Sequence, residues 1–302
     1  MQGLHLFTHR FAAMGSPCEI QLYALDAVAA DNIARQAIAD VQRLEQRYSR
    51  YRPDSFLSAI NRIAKAGGSI EIDAETAGLL DYADTCFRES DGLFDITSGI
   101  LRRVWYRDRT TLPTEEEIAP LLAQIGWQKI RRQASQLTFP PGMEIDFGGI
   151  VKEYAADRVA TLCWNAGAQH GVINLGGDIR VIGPHPDGSP WRIGIQHPRE
   201  KQSSVGEIVL HRGAIATSGD YERCILIDGK RYGHVLNPKT GWPIQHMASV
   251  SVIGDFCVVA GSASTIAMLM ETEGARWLDS LGLPHAWVDM AGNTGGLLKV
   301  IH

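Results

Sequence analysis

The chain has 302 residues, of which 45% are hydrophobic and 21% are charged, and its formal net charge is −5. This composition is that of a globular protein that buries a large core without disulfides or structural metals. Because its 29 basic and 34 acidic residues form no long run of one sign, the sequence disfavours nucleic-acid binding through a basic face.

The N-terminal segment alternates apolar and polar residues like a strand. It lacks the basic stretch and continuous apolar core of a signal peptide. We therefore expect a cytoplasmic protein, or a periplasmic one if a leader has been removed. No apolar run approaches the ~18–20 residues of a membrane helix. The five cysteines lie far apart with no C-x-x-C pair, which is typical of reduced thiols.

The first half of the chain is predicted to be mainly helical after an opening hairpin. Turn residues Gly15-Ser16-Pro17 separate two alternating runs, Leu6–Met14 and Cys18–Tyr23. Apolar residues then recur at helical spacing from Ala34 to Tyr48. Three further helices are predicted over Ala74–Glu89, Thr97–Tyr106 and Thr114–Gln124. No linker separates this helix-rich segment, about residues 74–125, so residues 1–302 are expected to form a single domain.

The second half is predicted to contain short strands with glycine-rich corners. Asp228-Gly229 is a strong hairpin signal, and consecutive strands joined by tight turns favour an α+β fold with a largely antiparallel sheet. Helices are predicted over Ile150–Trp164 and Cys257–Met270, and strands over Met143–Phe147, Val172–Asn174, Arg180–Ile182, Trp191–Gln196, Gly206–His211, Cys224–Ile227, Lys230–Val235, Ser249–Ile253, His285–Asp289 and Leu297–Ile301, the last two as a hairpin.

Two of the corners resemble anion- or heterocycle-binding turns. No Rossmann, P-loop, zincin or nucleophile-elbow motif is present. Asp146 to Lys152 is predicted as a strand end, two glycines and a helix start whose free N–H groups and lysine suit an anion. Asn174 to Asp178 is a second such corner. Each pattern also fits a plain structural turn, which for the first corner, taken alone, is the favoured interpretation.

A third group combines a predicted loop, Thr217 to Tyr221, with the segment from Gly233 to Gly241. His234 precedes an Asn-Pro turn, where it would orient a phosphate or take a proton from a hydroxyl nucleophile. A histidine that only holds the loop by hydrogen bonds is the alternative and, taken alone, the favoured interpretation. A hydrolase using Ser218, His234 and an aspartate has little support.

Together these blocks, in this order and spacing, resemble the ApbE family of FAD:protein FMN transferases over almost the whole chain. Further segments carry the resemblance: Phe11 to Ser16, Tyr48 to Tyr51, Asp54-Ser55, Asn61 and Gly92 to Asp95. The resemblance implies a two-lobed α+β fold related to T-folds, with a helical layer and FAD in a cleft between lobes.

The resemblance also implies a reaction. A threonine or serine of a target flavoprotein attacks FAD, FMN is transferred to it and AMP leaves, with a divalent metal, usually Mg²⁺, on the pyrophosphate. His234 is the implied catalytic residue, and Thr265 and the carbonyl of Val151 are implied metal ligands. The implied cofactor-binding residues are Met14, Asp146, Gly148, Gly149, Lys152, Asn174, Gly176, Gly177, Asp178, Thr217, Ser218 and Gly219.

Two positions depart from the family pattern. The helix that carries Thr265 has Gly261 where the family has a metal-binding aspartate, one helical turn away. The glycine after the lysine of the first corner is Glu153 here. Its carboxylate either replaces the missing one in part or faces solvent, and the second interpretation is favoured. The sequence therefore leaves two functions open: a working FMN transferase, or an FAD-binding protein without efficient transfer. A Gly261→Asp change is expected to strengthen the metal site.

Overall fold

The computed structural model describes residues 3–200, 203–221 and 224–298. Seven α-helices occur in these ranges, with short 3₁₀ turns between them. Their bounds are α1 Ala27–Tyr48, α2 Phe56–Ala66, α3 Ala74–Glu89, α4 Glu115–Leu122, α5 Val151–Asn165, α6 Cys257–Leu269 and α7 Gly274–Ser280.

Fifteen strands are described, and each strand pair is antiparallel. Their bounds are β1 His5–Ala13, β2 Ser16–Ala24, β3 Gly68–Glu71, β4 Arg131–Gln133, β5 Gln136–Phe139, β6 Gly171–Leu175, β7 Asp178–Gly183, β8 Trp191–Gln196, β9 Ser204–Leu210, β10 Gly213–Gly219, β11 Cys224–Ile227, β12 Lys230–Gly233, β13 Met247–Gly254, β14 His285–Asp289 and β15 Thr294–Gly295. The expected α+β class with mostly antiparallel sheet is confirmed.

An eight-stranded sheet, in the order β1-β2-β6-β7-β10-β13-β14-β15, forms the centre of the fold. Because side chains alternate along a strand, the sheet builds two cores. Ile173, Ala216 and Val252 face one core together with α1, α5 and α6. Val172 and Ile215 face the other, which the β8–β9 hairpin covers.

The segment around residues 98–125 packs a smaller core of its own. Ile100 and Leu101 from a 3₁₀ turn belong to one buried cluster with Ile118 of α4 and Tyr232 of the β11–β12 hairpin. Trp105 stacks on the Tyr232 ring and donates a hydrogen bond of 2.7 Å to the Gly241 carbonyl. These contacts attach the segment to residues beyond β12, on one side of the functional cavity.

Most predicted elements occur close to their expected bounds, and α3 begins and ends as predicted. Met143–Phe147 is not a strand; it runs irregularly, with Asp146 N–H bonded to the Ile96 carbonyl. The predicted helix Thr97–Tyr106 is reduced to a 3₁₀ turn over Ser98–Arg103.

At the C-terminus, β14 pairs with Thr294–Gly295. Leu297 and Leu298 are not strand, so this part of the predicted closing hairpin is wrong. The remainder of that prediction, residues 299–301, lies outside the described residues.

In the described ranges, no helix combines the length and the apolar character needed to cross a membrane. All five cysteines are free thiols, and four of them are buried: Cys18, Cys86, Cys163 and Cys257.

Candidate functional site

One cavity of about 520 Å³ is lined by most of the predicted site residues, which lie far apart in the sequence. It is lined by the start of α5, the β6–β7 turn, the end of β10, the segment after β12 and the middle of α6. The predicted residues that line it are Met14, Asp146, Gly148, Gly149, Val151, Lys152, Asn174, Gly176, Gly177, Thr217, Ser218, Gly219, His234 and Thr265. Asp178 lies behind this wall and is buried.

The β6–β7 turn requires glycine at its first position. Gly176 has φ +63°, and a Cβ there would lie 2.6 Å from the Ser16 Cβ. Asn174 Oδ1 accepts a hydrogen bond of 2.9 Å from the Gly177 N–H. The side chain of Asn174 therefore holds the turn, and the glycines let a ligand approach the backbone closely.

The corner before α5 is held by Asp146 and two arginines that the sequence interpretation did not single out. Asp146 Oδ2 accepts hydrogen bonds from Arg50 (2.8 Å) and Arg102 (2.6 Å), and its Oδ1 accepts one from the Gly148 N–H (3.0 Å). Burial alone would raise the pKa of Asp146, but Arg102 and Arg50 hold it below its ordinary value. Asp146 is thus ionised, and its hydrogen bonds hold the turn that places Gly148 and Gly149 at the cavity.

A buried charge cluster adjoins the first turn of α5. Lys152 forms an ion pair with Asp178, and Asp178 also accepts the Thr217 N–H at 3.2 Å. Burial would lower the pKa of Lys152, but the charges of Asp178 and Glu153 raise it well above its ordinary value. Asp178 therefore fixes the lysine and the end of β10 rather than facing the cavity itself.

Glu153 does not face solvent, so the favoured interpretation of this residue was wrong. It is 7% exposed and lines the cavity wall. Burial, and after it the charge of Asp178, raises the pKa of Glu153. Glutamates are mostly exposed in folded proteins, and nothing in the local pattern reveals that this one points toward a neighbouring helix.

Thr217, Ser218 and Gly219 lie in the sheet, because β10 extends through them. The predicted loop from Thr217 to Tyr221 was therefore wrong for these three residues, and only Asp220 and Tyr221 lie outside the strand. Ser218 Oγ lies 2.7 Å from the Thr265 hydroxyl and 2.8 Å from that of Ser264, both on α6. Thr217 forms a similar contact of 2.7 Å with Ser251 on β13. Thr217, Ser218 and Thr265 line the cavity, whereas Ser251 and Ser264 are buried behind them.

Met14 and His234 bound the cavity from two further segments. Met14 has φ +53° at the tip of the β1–β2 hairpin, and its N–H donates a hydrogen bond of 2.7 Å to Glu45 of α1. His234 is exposed and follows directly after β12. His234 is thus an exposed imidazole that lines the cavity.

Known proteins similar in sequence to this chain match it over the segments that line the cavity. The sequence model of the ApbE family matches residues 14–287. The FAD:protein FMN transferase of Chlamydia pneumoniae is 31% identical over 268 residues, which cover 85% of this chain and 82% of that protein. The FAD:protein FMN transferase of Escherichia coli K12 is 29% identical, over 87% of this chain and 78% of that protein.

Solved structures agree in fold. The ApbE protein of Thermotoga maritima superposes with a TM-score of 0.88 at 29% identity, covering 97% of both chains. The apo flavinyl transferase ApbE of Pseudomonas stutzeri gives a TM-score of 0.86 at 27% identity, covering 97% of this chain and 95% of that one. Sequence match, fold and the residues gathered at the cavity agree, and the chain belongs to the ApbE family.

Proposed function

We propose that this protein is an FAD:protein FMN transferase, which cleaves FAD and attaches FMN through a phosphoester to a threonine or serine of a target flavoprotein. The observation that carries the proposal is the convergence of five distant segments on one cavity. These segments include the predicted glycine corners, Lys152 and His234. Relatives of this chain are FAD:protein FMN transferases.

The cavity suits a dinucleotide in size and in polarity. Its volume of about 520 Å³ lies within the range of roughly 300–1,000 Å³ for ligand sites. Gly148, Gly149 and Gly176 permit close approach of the backbone to phosphate oxygens. Lys152 and Arg102 both line the cavity. Each is paired with a carboxylate, so they offer N–H donors to the pyrophosphate and no uncompensated charge.

In the proposed reaction the acceptor hydroxyl oxygen bonds to the FMN-side phosphorus, while the bond from that phosphorus to the bridging oxygen breaks. The bridging oxygen leaves with AMP. We assign His234 to orient the acceptor hydroxyl or to take its proton, since an imidazole changes charge near neutral pH. Its exposed position at the rim leaves room for a protein acceptor.

The divalent metal that the family uses fits the donor chemistry of this cavity. No group of three or more His, Cys, Asp or Glu side chains able to hold a metal occurs within residues 3–200, 203–221 and 224–298. The candidate ligands are instead the Thr265 hydroxyl and the Val151 carbonyl, hard oxygen donors of the kind that Mg²⁺ accepts alongside carboxylates and phosphates. Such an ion would neutralise charge on the pyrophosphate.

The decisive experiment incubates the purified protein with FAD, Mg²⁺ and an acceptor domain that carries an exposed threonine. We expect the acceptor to gain the mass of one FMN phosphoester and AMP to appear in equal amount, as read by mass spectrometry and chromatography. An acceptor whose threonine is replaced by alanine is the control. FAD binding without any AMP release, with several acceptors, would leave only the alternative of an FAD-binding protein.

A further inference from the structure

Gly261 lies inside α6 and is buried, although glycine in a helix interior costs about 1 kcal/mol relative to alanine. The neighbouring helix explains this choice. A Cβ at position 261 would lie 2.5 Å from Cγ and 3.2 Å from Cδ of Glu153. The space that a side chain at 261 would need is therefore filled by the glutamate of α5. This finding removes the premise of the expected gain from Gly261→Asp.

The position of Glu153 opposite Gly261 is set by a second contact between the same helices. One turn along α5, the Asp157 carboxylate accepts the N–H groups of Cys257 (2.8 Å) and Val258 (2.9 Å) at the start of α6. Asp157 thus meets position 257 while Glu153 meets position 261, so the helices run antiparallel in a fixed register.

One oxygen of Glu153 has no hydrogen-bond partner in the described part of the chain. The atom is Oε2, and the side chain is 9% exposed. Lys152 Nζ stands 4.0 Å from the other oxygen, Oε1, and is paired with Asp178. Two carboxylates therefore share one ammonium group. A buried carboxylate without a full set of partners is costly, and that cost is relieved either by a proton on Glu153, which its raised pKa favours, or by a cation bound beside it.

Oxygen donors of other kinds lie on the same wall. Thr265, one turn beyond Gly261 on α6, lines the cavity together with Glu153 and Val151. Its hydroxyl contacts Ser218 at 2.7 Å. A carboxylate, hydroxyl oxygens and a backbone carbonyl are hard ligands, the set that Mg²⁺ and Mn²⁺ prefer.

We propose that Glu153, reaching across the gap at Gly261, supplies the protein carboxylate of a divalent-cation site in this cavity. This inference rests on the proposed function for its biological meaning, but cation binding can be measured without any transfer reaction. The site takes its carboxylate from α5 instead of α6. The absence of a side chain at Gly261 then makes room for Glu153, and the site does not lack a carboxylate.

The first test measures Mn²⁺ binding to the whole protein by electron paramagnetic resonance, with Mg²⁺ as competitor, in the absence and presence of FAD. We expect Glu153→Gln to weaken Mn²⁺ binding by about tenfold to a hundredfold, the scale on which metal sites respond to altered ligand environments. The matched control is Glu75→Gln. Glu75 is a part-buried carboxylate that pairs with Arg43, contacts Tyr154 of α5 and is absent from the cavity lining.

The second test moves the carboxylate between helices. The double variant Glu153→Gly with Gly261→Asp should bind Mn²⁺ within a few-fold of wild type, because position 261 then faces an emptied space. Gly261→Asp alone should show no gain in affinity and a lower thermal midpoint, because its side chain meets Glu153. Circular dichroism establishes that each variant is folded before its affinity is compared.

The outcomes separate this inference from the proposed function. If Mn²⁺ binds through Glu153 but no FMN is transferred, the cation site stands and the transferase proposal fails. If Glu153→Gln binds Mn²⁺ as tightly as wild type, or if Gly261→Asp alone tightens binding, Glu153 is not the ligand. Transfer that still depends on Mg²⁺ in Glu153→Gln, at unchanged Mg²⁺ concentration, likewise overturns the inference and leaves the transferase proposal intact.

Discussion

The packing of Glu153 into the Gly261 gap can be measured without any metal or substrate. Gly261→Ala normally gains about 1 kcal/mol of helix propensity. Here the added Cβ would lie 2.5 Å from the Glu153 Cγ, an atom near the backbone that cannot swing aside as a side-chain tip can. Relieving such overpacking costs about 1–3 kcal/mol. We therefore expect Gly261→Ala alone to be neutral or to lower the free energy of unfolding by up to about 2 kcal/mol.

The opposite sign is expected once the glutamate is shortened. In a Glu153→Ala background the gap is open, so Gly261→Ala should raise the free energy of unfolding by about 1 kcal/mol. The coupling between the two sites is then about 1–3 kcal/mol, a size usual for residues in contact.

The assay compares four proteins: wild type, Gly261→Ala, Glu153→Ala and the double variant. The free energy of unfolding of each is measured in urea, and its thermal midpoint by heating, with a chelator present so that no metal binds. For a chain of this size about 1 kcal/mol corresponds to a midpoint shift of roughly 2 °C. Gly78→Ala in α3, where a Cβ would meet nothing within 4 Å, is the control for propensity alone. Equal gains from Gly261→Ala in both backgrounds would refute the contact, since no coupling would remain.

Further outcomes are expected at three positions. Asp146→Asn should lose the ion pairs with Arg50 and Arg102, which should lower the free energy of unfolding by about 3–5 kcal/mol. The control is Arg103→Gln, which removes an exposed pair with Glu144 and should change the free energy of unfolding by less than about 1 kcal/mol. Because the pKa of Asp146 is lowered in the folded state, the advantage of wild type over Asp146→Asn should be complete above about pH 4 and shrink at lower pH in acid unfolding curves; a constant advantage down to low pH would contradict this. His234→Ala should leave the thermal midpoint within a few degrees and reduce FMN transfer by roughly 10²–10⁴-fold; unchanged turnover in the acceptor assay would remove His234 from the mechanism. Gly176→Ala should cost about 1–3 kcal/mol in urea unfolding, partly recovered by Ser16→Gly because the Ser16 Cβ is the atom in the way; no recovery in the double variant would place the cost in the turn itself.

Elements with a strong local pattern were predictable from the sequence. α3 has an unbroken helical period and an aspartate cap at Asp73, and β11–β12 is joined by Asp228-Gly229 with Asp228 at φ +51°. The strands β3, β4 and β5 were missed. β3 and β4 are short and largely exposed, so they carry little alternation. β5 does alternate, with Leu137 and Phe139 buried, but its four residues are too few for a clear signal.

The candidate site was predictable where the backbone dictates the residue type, as at Gly176 with its φ of +63°. It was not predictable where the determinant is a contact between distant segments. Arg50 and Arg102 lie 96 and 44 residues from Asp146, and no local signal links them. The burial of Glu153 depends on Gly261, more than a hundred residues away, so a pattern confined to α5 assigns it to solvent.

α5 and α6 run antiparallel and are joined at Asp157, so that side chains at positions 153 and 261 reach the same place. A side chain from residue 153 and a side chain from residue 261 compete for the same volume, so a carboxylate needs to be encoded only once, in either helix. The sequence of α6 alone shows no carboxylate at position 261, and the carboxylate that we propose for this site comes from α5. Relatives with a neutral residue at one of these positions are therefore best judged by the residue at the other. The exchange also requires glycine or a similarly small residue on the helix that gives up the carboxylate.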